Sequence, residues 1–366
     1  MKVKNKKFST IWVENRVVKI IDQTKLPFKF KVEKLQSLND FCKAIKDMKV
    51  RGAPLIGVTA AFGFAKSIEQ NSSTINIKKC YDKLLKTRPT AINLKWALDT
   101  IKEKLLKTTP NKRASLAIKL ANLIRDDDIK SCKKIGHNGL KIIEKIYKKK
   151  KKPINILTHC NAGWLATVDY GTALSPIFYA HQAKIPLHIW VDETRPRNQG
   201  ALLTSWELKN EKIPHTVIVD NAGGHLMQKG KVDLCLVGSD RTAMNGDVCN
   251  KIGTYLKAIS ARENNIPFYV ALPTSTIDRN LKKGSDIPIE TRDGKELSNL
   301  IFEKSKKLLT GRIYKNKTKT FNPAFDVTPS KFITALITEN GICKANCSSI
   351  KKKLKNNYEN YKKDNY

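Results

Sequence analysis

Four short stretches combine residue types that can hold an anion or move a proton. Thr158-His159-Cys160-Asn161-Ala162-Gly163 follows the apolar run Ile154 to Leu157 and passes into a helical pattern. A thiol at such a junction lies near helix N–H dipoles that can lower its pKa, and its small neighbours allow close substrate approach. Taken alone, the same cysteine reads more readily as a small packed hydrophobe. A Cys–His hydrolase pairing is disfavoured, because His159 is adjacent in sequence and neighbours on a strand point to opposite faces. Gly238-Ser239-Asp240-Arg241 ends a second apolar run, ahead of Asn245-Gly246-Asp247 and Asn250-Lys251. Asp240 can serve there as a general acid or base, with Asn250 and Lys251 binding hydroxyls or phosphate. A turn with an N-cap is the alternative, since Asn-Gly is a turn signal. Arg51-Gly52-Ala53-Pro54 opens the apolar stretch LIGVTAAFGFA, the arrangement of a helix N-terminus that receives an anion, or equally an ordinary helix start. Arg88-Pro89-Thr90-Ala91-Ile92-Asn93 reads alone as a loop and cap; with Arg51 it suggests a phosphosugar clamp.

The elements that must position these residues follow from periodicity. Trp12, Val17, Val18, Ile20 and Ile21 are β-rich around a Glu14-Asn15 turn, which predicts a small antiparallel sheet. From Leu38 the spacing of Leu38, Phe41, Ile45 and Met48 is helical, with Ser37 and Asn39 available as caps. Further helical stretches are expected over 91–106, 113–124 and 132–147. After Pro153, INILTHC, PLHIWVDE, PHTVIVDNA, VDLCLVGSD and PFYVALP are short apolar runs between helical patterns, so a parallel, doubly wound sheet is expected. Four of these runs end in Cys160, Asp192-Glu193, Asp220 and Asp240, and carboxyl ends of parallel strands are where ligands bind in open α/β sheets. The expected fold is α/β: residues 1–130 as a small N-terminal domain of antiparallel sheet and helices, 131–345 as a Rossmann-like domain with a parallel sheet, and 346–366 as a lysine- and asparagine-rich tail or terminal helix. No Gly-x-Gly fingerprint follows the first α/β strand, so the sheet need not imply a dinucleotide.

Composition excludes several alternatives. The 366 residues are 40% hydrophobic and 28% charged, with no long apolar run, as expected of a globular chain rather than a membrane-spanning or disordered one. The basic start lacks an apolar signal core, so a cytoplasmic location is expected. Eight scattered cysteines contain no C-x-x-C pair, which argues against a disulfide framework and a metal site; no cofactor is expected. The net charge of +36 is mostly lysine, without interleaved aromatics, and reads as solvated faces rather than a nucleic-acid footprint. It would steer small anions.

The motifs RGAPLIGVTAAFG, RPTAINL, ILTHCNAG with YGTALSP, DETRPRNQGALLTSWEL, GSDRTAMNGDVCNKIGTY, PTSTID and NPAFDVTP occur in that order, with DQTKLP near the start. The set resembles the methylthioribose-1-phosphate isomerases over nearly the whole chain. These are related to the alpha, beta and delta regulatory subunits of the eukaryotic initiation factor that exchanges guanine nucleotide, and to ribose-1,5-bisphosphate isomerases. The resemblance implies an aldose–ketose isomerase of methionine salvage acting on a sugar phosphate, built as a homodimer and needing no metal or cofactor. It implies Asp240 as proton donor and Cys160 as second catalytic residue. Arg51, Gly52, Ala53, Arg88, Gln199, Asn250 and Lys251 match the positions that hold substrate. Trp164, Arg197-Asn198, Leu202, Thr242, Met244 and Cys249 depart from the expected pattern; Trp164, one turn from Cys160, is placed to reshape the pocket.

Overall fold

The computed structural model describes residues 1–3, 6–315 and 317–354. Two short strands, β1 (Lys2–Val3) and β2 (Lys6–Lys7), precede a three-stranded antiparallel sheet of β3 (Ile11–Glu14), β4 (Val17–Ile21) and β5 (Val32–Leu35). Asn15 and Arg16, both at positive φ, make the two-residue turn between β3 and β4, the backbone handedness that tight hairpins need. Helix α1 (Leu38–Lys46) begins with a reciprocal capping box between Ser37 and Asp40. The helices α2 (Ala53–Gln70), α3 (Thr74–Leu85), α4 (Ile92–Leu106) and α5 (Pro110–Lys150) follow. Helix α2 is buried on nearly every side, as its almost unbroken apolar sequence requires.

The helical stretches expected over 113–124 and 132–147 are one element. Helix α5 has 41 residues and spans about 60 Å at 1.5 Å per residue. The polar segment Arg125 to Lys130 that interrupts the apolar pattern is a part-buried turn of the same helix, where Asp128 accepts the Val168 N–H at 2.7 Å. Lys151, in the left-handed region at φ 53°, ends it just before Pro153. Ala117, Leu120, Ala121 and Ile124 on its first half pack in the N-terminal core, and Ile135 and Ile143 on its second half pack beneath the large sheet.

The second half of the chain contains β6 (Ile154–Thr158), α6 (Leu174–Gln182), β7 (Leu187–Asp192), α7 (Ser205–Asn210), β8 (His215–Ile218), α8 (Ala222–Gln228) and β9 (Leu234–Val237). It continues with β10 (Arg241–Ala243), β11 (Val248–Lys251), α9 (Thr254–Glu263), β12 (Phe268–Ala271) and β13 (Ile277–Asp278). After α10 (Lys295–Ser298), the hairpin β14 (Asn299–Lys304) and β15 (Lys307–Arg312) leads to β16 (Phe325–Thr328), β17 (Ala335–Thr338) and β18 (Gly341–Cys343). The main sheet runs β18-β17-β12-β9-β6-β7-β8, parallel throughout except for the antiparallel edge strand β18. All five strands expected from sequence are present; β17, a sixth parallel strand, and β18 extend the sheet beyond them. Taken in chain order, the six parallel strands lie 3-2-1-4-5-6, the arrangement of a dinucleotide-type α/β fold, with its reversal between β6 and β9. A second sheet, β13-β10-β11-β16, stands beside that reversal.

Of the segment 346–366 expected as a tail, residues 347–354 are helical, and Ile350 and Leu354 are buried in the core beside β9 and β12. Residues 355–366 lie outside the described residues. No helix among the described residues is long and apolar enough to cross a membrane.

Candidate active site

Strands β6 and β9 are neighbours, and the chain leaves both at the same edge of the sheet. Cys160 follows β6 by two residues and Asp240 follows β9 by three. In an open α/β sheet the crevice forms where successive crossovers depart to opposite faces, and this pair of strands is that place. A cleft of about 670 Å³ lies there. Cys160, Asp240, Arg51, Gly52, Ala53, Arg88, Gln199, Asn250 and Lys251 all line it, so residues from five separate motifs meet at one place. The other two polar strand endings do different work. Asp192 pairs with His159 and Lys257, and Asp220 holds the loop that follows β7.

Cys160 sits in the left-handed region at φ 65°, an uncommon conformation for a side chain with a Cβ. The structure holds it there from both sides. Its N–H donates to Thr194 Oγ1 at 2.8 Å, and its carbonyl accepts from Thr204 Oγ1 at 2.7 Å. Thr194, itself at φ 66°, is fixed in turn by Asp220, whose two oxygens accept the Thr194 and Arg195 N–H groups at 2.8 and 2.7 Å. Such over-determined strain clusters where side chains must be aimed precisely. Thr204 closes a π-helical turn, Gly200–Thr204, that directly follows Gln199.

His159 does not serve Cys160. Its Nδ1 is 2.9 Å from Asp192 Oδ2 and its Nε2 is 2.8 Å from the Ile252 carbonyl, so both ring nitrogens are committed. His159, Asp192 and Asp220 bring one ligand atom each within 4.8 Å of one another. The Lys257 ammonium nevertheless stands 3.2 Å from Asp192 Oδ2 and donates to the Asp220 carbonyl, so a side-chain cation answers the charge of that cluster.

The lining of the cleft is also cationic, with Arg51, Arg88, Lys251 and Arg292. Gly52 caps α2 at φ 93°, and a Cβ there would lie 2.4 Å from the Ala166 carbonyl oxygen, so only glycine lets the helix start pass this close to the segment after Cys160. That contact seats Arg51 beside Asn161, with Nη1 2.6 Å from Oδ1. Arg88 is largely buried, with a distant contact to Glu290 at 3.5 Å and an Nε that has no hydrogen-bond partner. Burial, then the neighbouring Arg292, pushes its pKa down against the pull of Glu290 and Asp240. Gln199 Oε1 is likewise buried and unpartnered. Buried polar atoms are rarely left so, and two of them in one cleft mark where a ligand supplies the missing bonds.

Lys251, on β11, donates to the Ala324 carbonyl at 2.9 Å and lies 4.5 Å from the Phe325 ring centroid. Burial lowers its pKa to about 8, reinforced by Arg292 and Arg51 and opposed by Cys160 and Asp240. The sign of the consequence is set by the charge that an anion requires. Below pH 8 the ammonium is present in the free protein, and above it the charge is lost unless a bound anion restores it. KM for an anionic substrate should therefore be flat below pH 8 and rise above it. A Lys251→Arg variant, whose guanidinium keeps its charge, should lose that rise; steady-state kinetics from pH 6.5 to 9.5, roughly spanning the ammonium titration, measure it.

Two features of the cleft differ from the sequence reading. Arg292 lines it although it lies in the polar run GluThrArgAspGlyLys, where nothing local separates it from a solvated surface charge. Trp164 is fully buried against Trp206 in the core and is absent from the cleft wall, so it does not shape the pocket directly.

A parallel sheet whose reversal carries a thiol and a carboxyl beneath arginines and a lysine defines an enzyme of the α/β class acting on an anionic small molecule. The model of the initiation factor 2 subunit family matches residues 49–345, and the chain belongs to that family. It is 54% identical over 355 residues to the methylthioribose-1-phosphate isomerase of Escherichia coli O45:K1, covering 96% of this chain and 95% of that one. The solved 5-methylthioribose 1-phosphate isomerase of Pyrococcus horikoshii OT3 superposes with a TM-score of 0.82 at 40% identity, covering 96% of each chain. Subunit delta of the translation initiation factor eIF-2B from A. fulgidus superposes with a TM-score of 0.77 at 36% identity, over 94% of this chain and 100% of that one.

Proposed function

We propose that the protein isomerises 5-methylthio-α-D-ribose 1-phosphate to 5-methylthio-D-ribulose 1-phosphate, an aldose–ketose conversion of methionine salvage. One observation carries the reading: Cys160 and Asp240 stand at the ends of adjacent strands in a cleft that Arg51, Arg88 and Lys251 also line. The names of the relatives similar over nearly the whole chain support the substrate.

The phosphate of this substrate sits on the anomeric carbon, so ring opening cannot simply release a free aldehyde. An acid must protonate the ring oxygen, and Asp240 takes that role. Asp240 then assists proton movement between the oxygens of C1 and C2, while Cys160 acts at the carbon centre. Arg51, Arg88 and Lys251 hold the phosphate, with Gln199 and Asn250 directed to hydroxyl groups and Gly52-Ala53 offering the start of α2. The reaction is redox-neutral within one molecule, and these groups account for it without a metal or cofactor. Residues 1–130 and 131–345 form the two working units, a division supported by the two cores that α5 joins. The protein acts in the cytoplasm as a homodimer and binds neither nucleic acid nor membrane.

A regulatory-subunit role is the second reading, favoured by the likeness to an eIF-2B delta subunit. Assaying purified protein with 5-methylthioribose 1-phosphate and ribose 1,5-bisphosphate separates the possibilities. Turnover of the first is expected, with kcat/KM about 10-fold or more above the second, since Arg88 and Arg292 already share Glu290. Absence of turnover on both, with tight binding to a translation factor, would overturn the isomerase reading.

A further inference from the structure

Arg51 faces the cleft, yet the group that holds it is neutral. Its Nη1 donates to Asn161 Oδ1 at 2.6 Å and its Nη2 to the Asn161 carbonyl at 2.9 Å. Asn161 can accept at Oδ1 only because its amide nitrogen is turned away, toward Glu207 Oε1 at 2.8 Å and Thr204 Oγ1 at 3.2 Å. The Thr204 hydroxyl spends its proton on the Cys160 carbonyl, so toward Asn161 it can only accept. Two acceptors therefore fix the orientation of the amide.

Glu207, on α7, is fully buried. Besides Asn161 it receives the Trp164 N–H at 2.9 Å and the Leu165 N–H at 3.2 Å. The chain has been shaped around it: a Cβ at Gly163 would lie 1.8 Å from Glu207 Oε2. A carboxylate placed directly on Arg51 would neutralise it. An amide between the two gives Arg51 its hydrogen bonds while leaving the cation's charge available to an incoming anion.

We propose that Glu207 is a positioning residue for anion binding, which acts through Asn161 to aim Arg51 at the phosphate. The inference rests on reading the cleft as a sugar-phosphate site. Glu207→Gln keeps the shape but replaces one acceptor oxygen by a donor, which at the Oε1 position confronts the Asn161 and Leu165 N–H groups and at the Oε2 position the Trp164 N–H. In the first of these Asn161, the only one of the three on a side chain, turns its amide nitrogen toward Arg51.

The test titrates inorganic phosphate by calorimetry into wild type, Glu207→Gln, Arg51→Ala and the double variant, with KM and kcat measured alongside. Glu207→Gln should weaken phosphate binding and raise KM together by about 10-fold or more, the worth of one hydrogen bond to a charged group, with kcat within about 3-fold. In the Arg51→Ala background the same change should add less than about 2-fold, because the relay then has nothing to aim. Equal effects in both backgrounds, or unchanged phosphate binding in Glu207→Gln, would overturn the proposal. Should Glu207→Gln fail to fold, Asn161→Ala tests the same coupling to Arg51 from the other end of the relay. Wild type that binds no phosphate would overturn the sugar-phosphate reading itself, a result distinct from a wild type and Glu207→Gln that bind equally.

Discussion

Replacing Asp240 with asparagine should lower kcat about 10³-fold while leaving KM within a few-fold, since proton transfer by a placed side chain contributes roughly 10²–10⁴. The substitution is nearly isosteric, and the backbone that carries it is held independently, with the Asp240 N–H donating to the Cys249 carbonyl at 3.0 Å. Asparagine can still hydrogen-bond a ring oxygen but cannot surrender a proton to it. The loss corresponds to about 4 kcal/mol at the transition state. A substrate with its phosphate on the anomeric carbon has no uncatalysed route to the open form at comparable rate, so no bypass is expected. Initial-rate kinetics on the purified variant decide the matter; a variant retaining a tenth of wild-type kcat would remove Asp240 from the acid's role.

Cys160 is expected to be almost as sensitive, and the comparison of two variants carries the information. Cys160→Ala should lower kcat about 10²-fold or more, and Cys160→Ser should fall about as far. The strained conformation at this position is imposed through main-chain bonds to Thr194 and Thr204, so neither change should move the loop. Serine nearly restores the size of the side chain but not its acidity, because an alcohol stays protonated where a thiol can ionise. If the thiol serves only to wall off a dry pocket, serine should recover most of the rate that alanine loses. Circular dichroism on both variants controls for folding.

Much of the architecture is legible in the sequence because its signals are local. Runs such as INIL and LCLV are short, β-branched or apolar, and bounded by turn residues, which is what a buried parallel strand requires. Strand β17, the ALIT segment, carries the same signal but follows a stretch of short, irregular elements from which it does not stand out. The break expected within α5 fails for a related reason. Charged residues at 125–130 interrupt an apolar stripe, but a long helix tolerates a charged turn when both its flanks are packed and a carboxylate within it, Asp128, finds the Val168 N–H.

The site divides along a similar line. Cys160 and Asp240 are conspicuous because reactive side chains follow strand patterns, and Arg51 and Arg88 because they accompany helix-start motifs. Arg292 and Glu207 are invisible to such reasoning. One lies in a charged loop and the other in the ordinary helical sequence SerTrpGluLeu, and a carboxylate at helical spacing reads as a surface charge unless the fold buries it.

The sequence by itself determined the kinds of element, the residues at their ends, and through the ordered motifs the family. Tertiary structure alone decided which ends meet. Strand β6 pairs with β9 across two intervening parallel strands of the chain, and it is this pairing that makes Cys160 and Asp240 neighbours of one crevice while Asp192 turns to His159 and Lys257 and Asp220 to holding a loop. Local periodicity reports whether a segment is a strand and which face it buries. The choice of partner is a non-local contact, selected by how crossover helices pack on a twisted sheet, and no window of sequence contains it.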